Sequence, residues 1–324
     1  MGAPGTYYLN DHEWTGSISY RYLHSFRDFH GSDEIPFPPP NDLLYADTKV
    51  HGFDLNLTYA ATKRWSISMA LPFQHGSRET YGEHDGLTRR TMQAGGMGDL
   101  SMIANVWLLD PARCADGNIA LGFGVKGPTG DSRATDYSYR DTGPVLRPVD
   151  PAIQLGDGGW GVVLSLQTFR KIFQGTTAYL QGSYLVNPRE MNGTPTVFAD
   201  LVPPNEDIGY RVNSVPDQYF ARGGVEYELW PKQGLAVSLG ARIDGVPVHD
   251  LIGGSEGWRI PGYAIAIEPG LSLSRGRNLL RLTAPVAVER HGDVSMSDRR
   301  TNHPLGGYAA FADFVIFASY SRRF

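Results

Sequence analysis

Apolar and polar residues alternate with period two along most of the chain, the pattern of a β-strand whose two faces meet different surroundings. Trp65, Ile67, Met69, Leu71 and Phe73 interleave with Ser66, Ser68, Ala70 and Pro72. Leu235, Val237, Leu239, Ala241 and Ile243 interleave with Ala236, Ser238, Gly240, Arg242 and Asp244. Phe53, Leu55, Leu57 and Tyr59 stand against Asp54, Asn56, Thr58 and Ala60. Twelve such segments are expected, near 14–26, 50–60, 65–74, 98–109, 118–127, 160–169, 176–187, 218–229, 235–246, 262–274, 279–289 and 308–323. Most exceed the roughly 5–6 residues of a soluble strand and match the roughly 9–11 of a tilted membrane strand.

The connections alternate as well. Short links (61–64, 110–117, 170–175, 230–234, 275–278) are followed by long ones (27–49, 75–97, 128–159, 188–217, 247–261, 290–307). That alternation is the mark of an outer-membrane barrel with short periplasmic turns and long extracellular loops. A sandwich has no reason for it, and no repeat of propeller length recurs. The expected fold is all-β: a transmembrane antiparallel β-barrel of about twelve strands over 14–324, preceded by an N-terminal segment 1–13. Tyr7, Tyr8 and Leu9 make that segment too apolar to hang free, so it is expected in or under the lumen.

Composition narrows the field. Among 324 residues, 41% are hydrophobic and 19% charged, with 39 Gly, which suits strands and turns. The net charge of −5 excludes a strongly basic nucleic-acid binder. Cys114 stands alone, so no internal disulfide can form, and no Cys/His spacing fits zinc. No apolar run reaches the roughly 18 residues of a membrane helix. The start, Met1 to Gly5, lacks the basic-then-apolar pattern of a signal peptide and reads as a mature chain destined for the bacterial outer membrane. The short links carry Lys63, Arg64, Arg113, Arg170, Lys171, Lys232, Arg275 and Arg277 against Asp110 and Asp116, whereas the first long link is acidic. Tyr59, Trp65, Phe73, Phe169, Tyr227, Trp230 and Tyr320 sit where an interfacial aromatic girdle belongs.

Candidate chemistry is sparse. The glycine-rich stretches 95–100 and 124–131 adjoin strands and fail the helix context of a nucleotide loop. Asp11-His12-Glu13 and Glu83-His84-Asp85 are read as solvated loop residues rather than metal ligands, and no cofactor is implied. His24 lies on the outward face with Ile18, Tyr20 and Tyr22, half of a lipid-facing hydrolase site, but no outward Ser adjoins it and an enzyme is not expected. Charge on the lipid face costs about 2–4 kcal/mol at the midplane, so charged strand residues belong inside. These are Arg21, Asp54, Asp99, Lys126, Arg222, Glu226, Glu228, Arg242, Asp244, Glu268, Arg281, Glu289 and Asp313, which can form wall ladders, a selective constriction, or both. An apolar solute would first be collected among the loops, where Phe29, Phe37, Tyr45, Phe198, Leu251 and Trp258 are the candidates.

Several stretches together resemble a family of outer-membrane transporters assigned to the phenol-degradation (MetA) pathway: Ala3 to Asp11, Leu71-Pro72-Phe73, Gly96 to Leu100, Lys126 to Asp131, Gly224 to Tyr227, Arg259 to Gly262, and Glu268-Pro269-Gly270. The resemblance runs over nearly the whole chain and implies a barrel that takes up aromatic or other hydrophobic compounds. The leading expectation is a passive channel for such molecules. The alternatives are a narrow polar porin selected by Arg222, Arg242 and Arg281, and a closed structural or enzymatic barrel. The expected partners are membrane lipid and lipopolysaccharide, a small-molecule solute, and the barrel-assembly machinery, which would read the alternating last strand ending on Phe324.

Overall fold

A chain that crosses hydrocarbon as strands must pair every backbone N–H and C=O with another strand, which leaves a closed cylinder as the only arrangement without an edge. The computed structural model, which describes residues 8–35, 45–197, 199–200, 207–301 and 306–324, has that form. Its wall is a closed antiparallel barrel of twelve strands, each paired with its neighbours in sequence. They are β1 (Trp14–His30), β2 (Ala46–Ala60), β3 (Trp65–Thr80), β4 (Arg90–Met97 continued by Ser101–Trp107), β5 (Gly117–Lys126), β6 (Gly161–Phe173), β7 (Thr176–Val186), β8 (Gln218–Trp230), β9 (Leu235–Val246), β10 (Gly262–Arg275), β11 (Asn278–Thr283 continued by Val286–Gly292) and β12 (Tyr308–Arg323). The circle closes where β1 meets β12, from Thr15↔Arg323 to His30↔Tyr308, and the Phe324 N–H donates to the Trp14 carbonyl at 2.8 Å. No helix among the described residues is long and apolar enough to cross a membrane.

The outer face carries the apolar half of each alternation. Trp65, Ile67, Met69 and Phe73 on β3, Ile119, Leu121 and Phe123 on β5, and Leu280 and Leu282 on β11 are exposed, with Phe123 at 62%. Such a face is stable only against hydrocarbon.

Above this band β1 to β4 run farther than the alternation indicates. β1 continues to His30, β2 begins at Ala46, β3 reaches Thr80, and β4 begins at Arg90. Their outward residues there are polar (His24, Lys49, Ser77, Gln93), so the two faces no longer differ in hydropathy although pairing persists. Two strands are interrupted. At Gly98–Leu100 the ladder of β4 breaks, Gly98 N donates to Pro72 O at 2.7 Å, and a Cβ on Gly98 would meet the Pro72 ring at 2.9 Å. At Ala284–Pro285 the missing N–H of proline breaks β11, yet the Pro285 carbonyl still accepts from Val315 N at 3.0 Å.

The buried apolar core lies inside the cylinder. Val50, Met92 and Ala94 point inward from β2 and β4 and pack on Val149, Ile153 and Val197, with Leu23, Ala134 and Leu155 around them. Segment 127–160, which includes the hairpin Thr135–Arg140/Gly143–Pro148, therefore folds into the extracellular half of the lumen against one side of the wall.

This two-faced wall predicts an asymmetry. Leu239→Arg, which puts a charge on the lipid face near the middle of β9, is expected to destabilise the barrel by about 2–4 kcal/mol in urea titrations in lipid vesicles. Ser238→Arg, one residue away on the lumen face, is expected to cost less than half of that. Equal losses would show that the outer face does not meet hydrocarbon.

Candidate permeation route and its constriction

The inward-folded segment is fixed to the wall by charge. Asp99, at the break in β4, accepts from Gly130 N at 2.9 Å and Asp157 N at 3.1 Å. Lys126, at the end of β5, pairs with Asp157 and lies 3.6 Å from Asp99. Higher up, Arg78 on β3 donates to Glu83 at 2.6 Å and to Thr48 Oγ1 at 2.9 Å, and stands 3.7 Å from Asp150. One guanidinium thus meets two carboxylates in a dry site. Burial, the dominant effect, pushes the Glu83 carboxyl up to about 7, Arg78 opposes the rise and Asp150 adds to it. His84 beside it accepts from Tyr139 N at 3.1 Å, and its pKa is lowered, chiefly by burial.

The opposite wall, β7 to β11, carries a ladder. Arg222 donates to Glu268 at 2.9 Å and to Gln181 at 2.9 Å. Arg242 forms a two-bond pair with Asp244, both at 2.6 Å, and lies 3.7 Å from Glu268. Arg281 donates to Glu226 at 3.1 Å. Glu268 is 1% exposed. Gly240, opposite it in register, faces Gly224 across β8 and β9, where an added Cβ at Gly224 would meet Gly240 Cα at 2.5 Å and one at Gly240 would meet Tyr179 Oη at 2.9 Å. Three guanidinium groups and three carboxylates cancel, so the ladder presents paired charges rather than a net field.

Phenylalanine rings share this inner surface. The Arg242 guanidinium lies 4.7 Å from the Phe317 ring centre and 5.3 Å from that of Phe220. Nearer the extracellular end, Arg27 and Arg290 both donate to Asp313, at 2.7 and 2.8 Å, and flank Phe29, whose ring meets Phe311 edge-on at 5.8 Å. At the periplasmic end, Trp107 and Phe169 stand edge-on at 5.7 Å, and Tyr8 packs against both.

The expected lumen residues divide as follows. Arg222, Arg242, Asp244, Glu268, Glu226 and Arg281 form the ladder, Asp99 and Lys126 hold the inward segment, and Asp313 joins the extracellular cluster. Arg21 lies over the bare backbone of Gly52 with Asp54 on the same inner face of β2. Glu289 is a correction. A bulge in β11 sets Glu289 opposite the outward Ile265 while Ala287 faces the inward Ala266. The extra residue turns Glu289 to the outer face, where it accepts from Tyr263 Oη at 3.0 Å, and Arg290 takes the lumen position.

The loop candidates also change. Phe29 is on β1, buried in the lumen rather than in a loop. Tyr45 is buried against Tyr81 with Arg89 over its ring at 4.0 Å. Leu251 is 65% exposed, and Trp258 is tied through its backbone to Val212 and Ser214. Phe37 and Phe198 lie outside the described residues. Phe169, assigned to the girdle, is 2% exposed and faces inward. Phe220, Phe311 and Phe317 escaped the sequence reading because it took the apolar half of each alternation to face lipid. The signal was an aromatic in the polar phase, two residues from Arg222 and from Asp313.

No family model matches the chain, and no curated protein matches it. Among solved structures, the COG4313 outer membrane channel from Pseudomonas putida F1 superimposes with a TM-score of 0.65 at 15% identity over 100% of both chains. The toluene transporter TodX of P. putida gives 0.45 at 8% identity over 98% of this chain and 91% of that one. The β domain of the Bordetella autotransporter BrkA gives 0.48 at 13% identity over 97% and 100%. The first likeness places the chain in the fold of twelve-stranded outer-membrane barrels.

The Glu83 site sets a pH dependence. With its pKa raised from 4.5 to about 7, the folded protein keeps a proton that the unfolded chain has lost, so stability falls as pH rises through that window. The urea midpoint in vesicles should therefore be higher at pH 5 than at pH 8. Glu83→Gln is expected to remove about 1–3 kcal/mol of that difference. An unchanged pH profile in the variant would refute the assignment.

Proposed function

We propose that the protein is a passive channel of the bacterial outer membrane for small hydrophobic and aromatic molecules, and not an enzyme. The observation that carries this reading is the row of phenylalanines on the lumen face, Phe29, Phe311, Phe317 and Phe220, where a water-filled pore needs polar residues. Apolar surface is costly to hydrate, so a ring that leaves water gains at each such step. Guanidinium groups stacked over the phenylalanines keep the intervening surface flat, and their pairing with carboxylates leaves no net field to draw ions in. The segment 127–160 narrows the extracellular half, so a solute passes between its packed core and the ladder. The family resemblance of the sequence points to the same solute class. The apolar band implies lipid and lipopolysaccharide around the wall, and the alternating β12 ending at Phe324 is the element the assembly machinery would read.

A narrow polar porin is the second reading, favoured by the ladder Arg222–Glu268–Arg242–Asp244 itself. The two separate in proteoliposomes. Phe220→Ala combined with Phe317→Ala is expected to lower toluene flux about fivefold to tenfold, corresponding to 1–1.4 kcal/mol, with little change in arabinose-driven swelling. Arg222→Glu is expected to alter ion selectivity and leave toluene flux nearly unchanged. Fast sugar passage with equal sensitivity of both solutes would replace the facilitator by the porin.

A further inference from the structure

The periplasmic mouth holds a ring-binding box that the chain fills with its own side chain. Residues 8–13 leave β1 and pass the β2–β3 turn, where Asp11 accepts from Lys63 N at 2.6 Å and His12 N donates to Ala60 O at 2.8 Å. They bring Tyr8 to strands well round the circle. There its ring stands edge-on to Trp107 at 5.0 Å and 77° and to Phe169 at 5.6 Å and 68°. Its hydroxyl donates to the Cys114 carbonyl at 2.5 Å, in the β4–β5 turn. Trp107 and Phe169 occupy lumen-face positions of β4 and β6, so the tyrosine closes over the mouth rather than lying along the outside.

We propose that this box, with Trp107 and Phe169 as walls and the Cys114 carbonyl as acceptor, is the exit-side binding site for a planar aromatic solute bearing one hydrogen-bond donor, and that Tyr8 is a tethered occupant the solute displaces. Three features carry it. Edge-on packing against two rings selects a flat aromatic, because the positive ring edge meets the negative ring face. The Cys114 carbonyl accepts the one donor of the solute, and the Asn118 side chain stands at the same hydroxyl of Tyr8. The occupant is attached through a short segment anchored by the Asp11 carboxylate and the His12 N–H, outside the wall pairing itself, so it can leave without opening the barrel. Displacement costs the solute the free energy of expelling Tyr8, and removing Tyr8 removes that cost. The inference rests on the channel reading above only for its physiological meaning, because the box itself is a property of the folded protein in detergent.

The probe is p-cresol, with toluene as the same ring without a donor, and the readout is quenching of Trp107 fluorescence in detergent-solubilised protein. Tyr8→Ala should bind p-cresol at least tenfold more tightly than the wild type and prefer it to toluene, and the quench should vanish in the Tyr8→Ala, Trp107→Phe double variant. In planar bilayers Tyr8→Ala should conduct better than the wild type, and p-cresol added to the wild type should move its conductance toward that of the variant. Tyr8→Phe, which keeps the ring and loses only the hydroxyl, serves if the alanine variant fails its heat-modifiability check, and should bind p-cresol more tightly than the wild type by a smaller factor. Equal p-cresol affinity in the wild type and the Tyr8 variants, or equal affinity for toluene, would overturn the proposal and leave Tyr8 as a structural anchor. Loss of toluene flux dependence on Phe220 and Phe317 would overturn the channel reading without touching this one.

Discussion

Hydrocarbon offers no hydrogen-bond partner, and a backbone group left unpaired in it costs several kcal/mol. A strand protein can meet this constraint only by closing on itself, so the last strand must pair with the first. Here β12 meets β1 over almost the whole length of both, with two register shifts where bulges absorb the mismatch in strand curvature. Once the circle is closed, the usual placement of residues is inverted. The apolar half of each strand faces out and is stable there, while the inner face must be either wet or packed by the chain itself.

This protein does both, on different sides of its lumen. Against β2, β3 and β4 the segment 127–160 supplies Ile153 and Val149, and Ile153 sits so close to the wall that a Cβ at Gly76 would come within 2.7 Å of it. Against β8 to β11 the core cluster of the described residues does not extend, and the wall there carries ion pairs and phenylalanines. Buried charges tolerate this only because each has a partner. The same economy governs the inward segment, where Asp99, Lys126 and Asp157 form one set and Arg78, Glu83 and Asp150 another. In the second set burial is the main reason that Glu83 holds its proton up to about pH 7, and the second carboxylate, Asp150, adds to the rise against the opposing Arg78.

The wall was legible in the sequence wherever its two faces meet different media. All twelve strands follow from the alternation, as do the short periplasmic turns. The legibility ends above the membrane band, where His24, Lys49 and Ser77 face water on the outside and the contrast between faces disappears. It fails again at bulges, because one inserted residue exchanges the faces. Glu289 and Arg290 trade places for that reason, which no count of period two could foresee without locating the bulge at Val288. The ladder residues were assigned to the lumen from the price of charge in lipid, and their partners then depended on register. The aromatic lumen surface was hidden by the assumption that apolar residues face lipid.

Two opposing demands meet at the inner wall. A barrel whose lumen carries phenylalanines cannot be lined throughout by apolar side chains, since β-strands so lined would collapse inward or pair with other chains before the barrel closed. Charged side chains oppose such collapse and define the lumen face, but isolated they would bind ions and hold water strongly. Stacking a guanidinium on a phenylalanine while bonding its edge to a carboxylate, as Arg27, Arg242 and Arg290 do, meets both demands at once. The planar cation uses its rim for hydrogen bonds and its face for the ring. Arg242, with Asp244 at its edge and Phe220 and Phe317 at its faces, is the fullest instance, and Arg27 and Arg290 around Phe29 and Asp313 repeat it one step higher. The recurrence of that unit at two levels gives the lumen a surface neither as wet as a porin's nor as dry as a core.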